Sequence, residues 1–198
     1  MDDIRTFIAV ELDAPIQRGI EHVQDSLRRE LRSGAVRWVN PGSIHLTLKF
    51  LGDVPAVQLP EIKVALQKGC ATFPPFDLVV TGLGCFPGFS RPNVVWVGVQ
   101  GDLATLRRLR DSVEQHVAPL GYPTEQRDFT AHLTLGRVKN ASPAEARRIG
   151  DAVRDAKTGD LGDLHVGEVH LIRSDLSPQG AKYTRLFTVS LEETSEEP

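Results

Sequence analysis

Two histidines stand in identical four-residue settings. His45-Leu46-Thr47-Leu48 and His132-Leu133-Thr134-Leu135 both read HLTL, 87 positions apart (132 − 45). A strand sends alternate side chains to opposite faces, so each imidazole shares one face with its hydroxyl while the leucines take the other. Two such dyads turned toward one centre offer two imidazoles with an ordinary pKa of about 6.5, each able to serve as acid or base near neutrality. The threonine hydroxyls are neutral donors that suit the non-bridging oxygens of a singly charged phosphodiester, where charge develops. No carboxylate recurs at a common offset from both histidines. The expected chemistry is therefore acid–base catalysis with neither a metal nor any other cofactor.

The flanks of the two tetrapeptides repeat as well. Thr6–Leu12 reads as a strand, and Ile16, Ile20, Val23, Leu27 and Leu31 recur at helical spacing behind an Asp13 cap. Val36–Val39 is a short strand, and an Asn-Pro-Gly turn leads into the first HLTL strand. There Ile44, Leu46, Leu48 and Phe50 are expected to face a core, with Gly52-Asp53 ending the strand. A helix after Pro55 and a strand over 76–86 follow. A shift of 87 carries this plan onto the strand beginning at Val94, a helix near 101–120, the second HLTL strand within 129–138, and a helix to about Ala156 behind Ser142-Pro143. One strand over 164–174 and a closing strand over 183–191 complete the chain. The pattern predicts an α+β protein of two pseudo-symmetric lobes, each a mixed or antiparallel sheet with helices on its outer face and a groove between the sheets. Residues 1–191 form one bilobal domain, with repeat units at about 5–91 and 92–191.

Composition narrows the partners. Of 198 residues, 40% are hydrophobic and 25% charged, the values of an ordinary globular chain. The net charge of −3 falls mostly on the tail, residues 192–198, which carries four glutamates and is expected to be disordered; without it the balance is 23 − 22 = +1. No strong field draws in nucleic acid, so any RNA contact is local. Cys70 and Cys85 lack any metal-ligand spacing and fit a reducing, cytoplasmic compartment. The N-terminal run is too short and too acidic for a leader or a membrane span. A monomer is expected.

The twin HxTL strands resemble those of the two-histidine phosphoesterases, most closely the RNA 2′,3′-cyclic phosphodiesterases, also called the 2′-5′ RNA ligase family. Further stretches carry the likeness: Arg37-Trp38-Val39-Asn40-Pro41, Lys49-Phe50-Leu51-Gly52-Asp53, Gly82 to Pro87, and Gly180-Ala181-Lys182-Tyr183. The chain departs at Ala131, where that family usually has proline. The resemblance implies metal-independent hydrolysis of a terminal 2′,3′-cyclic phosphate on RNA or a nucleotide to a 2′-phosphate. It makes His45 the proton donor to the departing 3′-oxygen and His132 the acceptor from water. Thr47, Thr134 and Arg137 would hold the phosphate. Strict alternation turns Arg137 away from the site, since its offset from His132 is odd, unless a bulge at Gly136 re-aims it.

Other candidates follow. Phe86 and Phe89 flank a Pro/Gly loop and either stack on a base or pack the loop. Tyr183 could reach the groove from its turn. His22 and His116 read as surface residues, His165 and His170 as structural, and Cys85 as packing. A 2′-5′ RNA ligase running the reverse reaction, or a non-catalytic RNA-binding module, are the alternative functions. Water at about 55 M favours hydrolysis over ligation unless two RNA ends are held together.

Overall fold

The computed structural model describes residues 3–32, 34–177 and 180–192. The expected acidic tail beyond Glu192 and the turn at 178–179 lie outside these residues. Among the described residues, nine strands and four α-helices run in the order β1 (Asp3–Glu11), α1 (Ala14–Leu31), β2 (Val36–Trp38), β3 (His45–Pro55), α2 (Leu59–Cys70), β4 (Phe76–Phe86), β5 (Val94–Gly101), α3 (Leu103–Val117), β6 (His132–Val138), α4 (Pro143–Asp155), β7 (Asp160–Val166), β8 (Glu168–Ser177) and β9 (Gly180–Ser190). The strands form two sheets, β3-β1-β8-β9 and β2-β6-β5-β4-β7. Every described pairing is antiparallel.

The helices follow their periodicity. Ile16, Ile20, Val23, Leu27 and Leu31 are all buried, and the Asp13 carboxylate accepts from the Ile16 amide at 3.0 Å. Ser142 and Glu145 close a capping box at the start of α4. Leu106, Leu109, Val113 and Val117 bury the matching face of α3. One core runs through both sheets and all four helices.

The lobes cut across the sequence repeat. β1 and β5 correspond under the 87-residue shift, as do β3 and β6, and each first strand pairs with its own HLTL strand. The other flank of each is taken by a strand of the opposite half: β4 beside β5, β8 beside β1. The short loop after Phe86 makes β4 and β5 antiparallel neighbours, the cheapest connection for that spacing. Each sheet is thus completed only by the other half of the chain.

Three boundaries differ from those read in the sequence. The expected strand over 164–174 is two strands in different sheets, with the chain crossing over at Gly167. Nothing but that glycine interrupts the β-prone run, so periodicity alone joins the two. β3 does not stop at Gly52; the glycine adopts φ +77 and the strand continues to Pro55. β6 begins at His132 itself, and residues 122–131 have no regular structure.

Candidate active site

The two HLTL strands carry the same irregularity. In β3, Thr47 pairs with Ala9 and Lys49 with Ile8, leaving Leu48 as an extra residue. In β6, Thr134 pairs with Trp96 and Gly136 with Val95, leaving Leu135 extra. Both bulges fall three residues past the histidine. A bulge shifts every later side chain to the other face. Arg137 therefore regains the face of His132, though the extra residue is Leu135 and not Gly136. The same event in β3 overturns the expected inward position of Phe50, which is 69% exposed, and turns Lys49 into the interior at 8%. Phe50 and Arg137 are equivalent residues under the 87-residue shift (50 + 87).

On the four-stranded sheet, His45 is half-buried. The Tyr183 ring meets it edge-on at 4.7 Å and the Phe7 ring at 5.2 Å. Phe7 also contacts Phe50 at 6.0 Å, so His45, Phe7 and Phe50 line one face. Glu11 pairs directly across from His45 and forms an ion pair with Arg185. A polar pocket of about 140 Å³ opens there, bounded by Glu11, Gln17, His45, Tyr183 and Arg185. Burial holds the imidazole pKa down to about 4; the Glu11 carboxylate opposes this, and His170 adds to it.

On the five-stranded sheet, Phe86 meets the His132 ring edge-on at 4.9 Å and Trp96 lies at 6.3 Å. His132 Nδ1 stands 2.7 Å from the Thr130 carbonyl oxygen. A carbonyl only accepts, so Nδ1 carries the proton and Nε2 keeps its lone pair. Burial lowers the pKa of this histidine, the Thr130 bond raises it, and the Arg137 charge lowers it. Gln24, fully buried on α1, donates to Val39 O at 2.8 Å and to Leu135 O at 2.9 Å, and so braces the β6 bulge.

The Arg137 charge acts on both His132 and the Tyr183 phenol, whose ring abuts His45. Thr47 and Thr134 lie half-buried on the same faces as their histidines. The strands β3 and β6 approach each other between the two sheets, Tyr183 stands against His45, and Arg137 shares the face of His132. Phe86 belongs to the wall behind His132, and Phe89 packs on the core under Arg154. His22 and His116 are exposed on their helices, and His165 is an exposed partner of Asp77. His170 is buried beside Thr188. Burial pushes the thiols of Cys70 and Cys85 up to about 12 and 11. Ala131 leads into His132 with no strand pairing of its own. Among the described residues, no three His, Cys, Asp or Glu side chains gather closely enough to hold a metal ion. No described helix is long and apolar enough to cross a membrane.

Glu11 and Phe50 went unmarked as site residues in the sequence. A signal for Phe50 did exist, because it occupies the position of Arg137 in the other repeat. Glu11 has no such marker; only the β1–β3 register sets it opposite His45.

The profile of the LigT-like phosphoesterases matches residues 10–96 and again residues 97–183. This chain belongs to the LigT-like phosphoesterase family. A relative from Archaeoglobus fulgidus named RNA 2′,3′-cyclic phosphodiesterase is 36% identical over 92% of this chain and 98% of its own length. One of the same name from Methanothermobacter thermautotrophicus is 33% identical over 91% and 95%. The crystal structure of Escherichia coli LigT complexed with 3′-AMP superposes with a TM-score of 0.74 at 26% identity, covering 96% of this chain and 99% of that one. A crystal structure of a Thermus thermophilus protein gives 0.77 at 26% identity, with the same coverage. Both LigT-like matches contain one HLTL copy, and the boundary between them falls inside β5, so the family's own repeat agrees with the duplication while the sheets interleave its halves.

Proposed function

We propose that this LigT-like phosphoesterase hydrolyses 2′,3′-cyclic phosphodiesters on RNA ends or nucleotides to 2′-phosphates. What supports the reading is the pair of bulged HLTL strands, which approach each other between the sheets with Tyr183 against His45 and Arg137 on the face of His132. The names of the archaeal relatives support the substrate class.

In this reaction the phosphate sits between the two dyads. Water attacks phosphorus and gives its proton to His132 Nε2, left free by the Thr130 bond at Nδ1. His45 donates to the departing 3′-oxygen, and the phosphate stays on the 2′-oxygen. Thr47, Thr134 and Arg137 bind the non-bridging oxygens as charge builds. Half-buried His45 is a poor cation in the free protein, but an anion bound beside it favours the protonated form, so substrate itself loads the acid. Phe50, exposed on the same face, offers its ring to the base. The protein works as a monomer, with residues 1–191 as one unit; its two buried free cysteines fit the reducing cytoplasm.

The test is incubation with nucleoside 2′,3′-cyclic phosphates in EDTA and identification of the product isomer. Undiminished release of 2′-phosphate supports the reading. Loss of activity on chelation, restored by one divalent ion, refutes it in favour of metal-assisted chemistry.

A further inference from the structure

The segment that delivers His132 has no ladder to hold it. Residues 122–131 lie between α3 and β6 without helix or strand, yet Thr130 supplies the carbonyl that fixes the His132 ring. Side chains do the holding instead. Lys49 Nζ donates to Pro123 O at 2.5 Å, and the Glu125 amide donates to Glu114 Oε2 at 2.7 Å. The Arg110 guanidinium lies 5.3 Å from the centre of the Phe129 ring. These three ties converge on one cluster: Glu114 Oε1 stands 3.3 Å from Lys49 Nζ and 2.9 Å from an Arg110 nitrogen. Asp111 at 3.0 Å balances the second cation.

The three side chains at the centre, Lys49, Glu114 and Arg110, are 8%, 3% and 10% exposed. Ion pairs buried this deeply cost about as much in desolvation as they return, and apolar residues of similar volume hold a core together as well or better. Stability alone does not account for the cluster. What apolar packing cannot supply is directional bonding to the two backbone groups at Pro123 and Glu125. The Leu48 bulge that turns Phe50 outward is also what turns Lys49 inward, so the cluster ties the strand of His45 to the segment ending at His132.

We propose that Lys49, Glu114 and Arg110 are positioning residues that hold segment 122–131 so that Thr130 keeps the His132 imidazole in its Nδ1–H tautomer with Nε2 aimed into the groove. The catalytic part of this rests on His132 being the proton acceptor; the tautomer part does not.

The experiment uses the full chain with ¹⁵N-labelled histidine, in the wild type and in the variants Glu114→Gln, Lys49→Met and Lys49→Arg. The ring ¹⁵N shifts of His132 report its tautomer, and turnover of adenosine 2′,3′-cyclic phosphate reports kcat and KM. Displacement of a reacting group by an ångström costs on the order of 100-fold in rate. The expected result is a kcat at least about tenfold lower in Glu114→Gln and Lys49→Met with KM changed by less than about threefold. The His132 shifts move toward a tautomer mixture while those of His45 stay put, and Lys49→Arg, which keeps the cation, restores both. Lower heat stability with wild-type kcat and an intact Nδ1–H tautomer would overturn the proposal, leaving the cluster purely structural. Should Glu114→Gln fail to fold, Lys49→Met decides by the same criteria, since it leaves Glu114 paired with Arg110. If the wild type does not turn over the cyclic nucleotide, the functional reading falls, and the ¹⁵N shifts still decide the positioning.

Discussion

Replacing Gly84 with alanine should damage a histidine that the new methyl group does not touch. Gly84 on β4 pairs with Trp96 on β5, and a Cβ there would lie 2.2 Å from Trp96 Cζ2 and 2.3 Å from Cη2. Ordinary contact begins at 3.4 Å, so the indole must retreat by 3.4 − 2.2 = 1.2 Å. It cannot do so freely. The Phe86 ring lies 5.2 Å from it, its Nε1 is buried without a partner among the described residues, and His132 stands 6.3 Å away. Overpacking of this kind costs about 1–3 kcal/mol. In a chain of this size each kcal/mol shifts Tm by roughly 2–4 °C, so a fall of about 2–12 °C is expected. The displaced aromatic pair also moves the wall of His132, and an ångström of misplacement costs on the order of 100-fold in kcat/KM. The sign is diagnostic, because glycine to alanine at an unstrained position stabilises by about 0.4–1 kcal/mol. Thermal melting and cyclic-phosphate turnover of the purified variant test this. An unchanged or higher Tm with full activity would refute the claim that the indole is pinned between Gly84 and the imidazole.

Phe50→Ala removes the exposed ring that is the counterpart of Arg137 in the other repeat and should weaken catalysis on cyclic nucleotides by about 5–150-fold, the equivalent of one base stack, without lowering Tm; a loss no larger than about twofold in kcat/KM would show that the base lies elsewhere. His45 also gives the free protein a pH-dependent stability. Its folded pKa of about 4 lies below the ordinary 6.5, so the folded state resists protonation. Its contribution is fully present above pH 6.5 and is lost as pH falls toward about 4, a change on the order of 3 kcal/mol. Urea titrations between pH 7 and 4 should show that slope in the wild type and a shallower one in His45→Asn; equal slopes would mean that His45 titrates normally.

The dyads, the α1 and α4 helices with their caps, and the two-lobed plan were legible because each depends on residues close in sequence. Asp13 and Ser142 announce their helices, and the 87-residue repeat announces the duplication. What alternation could not supply was the bulge after each Thr-Leu. A bulge is set by the partner strand's register, which a single strand's pattern does not contain, so alternation alone puts Phe50 inside and turns Arg137 away from the site. The exchange of β4 and β8 between lobes was hidden for the same reason, and so was the crossover at Gly167. Nothing in the helical spacing of α3 marks Glu114; its burial depends on Lys49, 65 positions earlier (114 − 49).

The division of labour between the histidines is tested most directly with a cyclic phosphate whose 3′ bridging oxygen is replaced by sulfur. A thiolate leaves without being protonated, so this substrate has little use for a general acid but still needs a base to activate water. On the ordinary substrate each single alanine variant should lose on the order of 10²–10⁴ in rate. On the sulfur analogue His45→Ala should recover most of that loss while His132→Ala stays impaired. Equal recovery of both, or recovery of His132→Ala alone, would contradict the assignment of His45 as donor and His132 as acceptor.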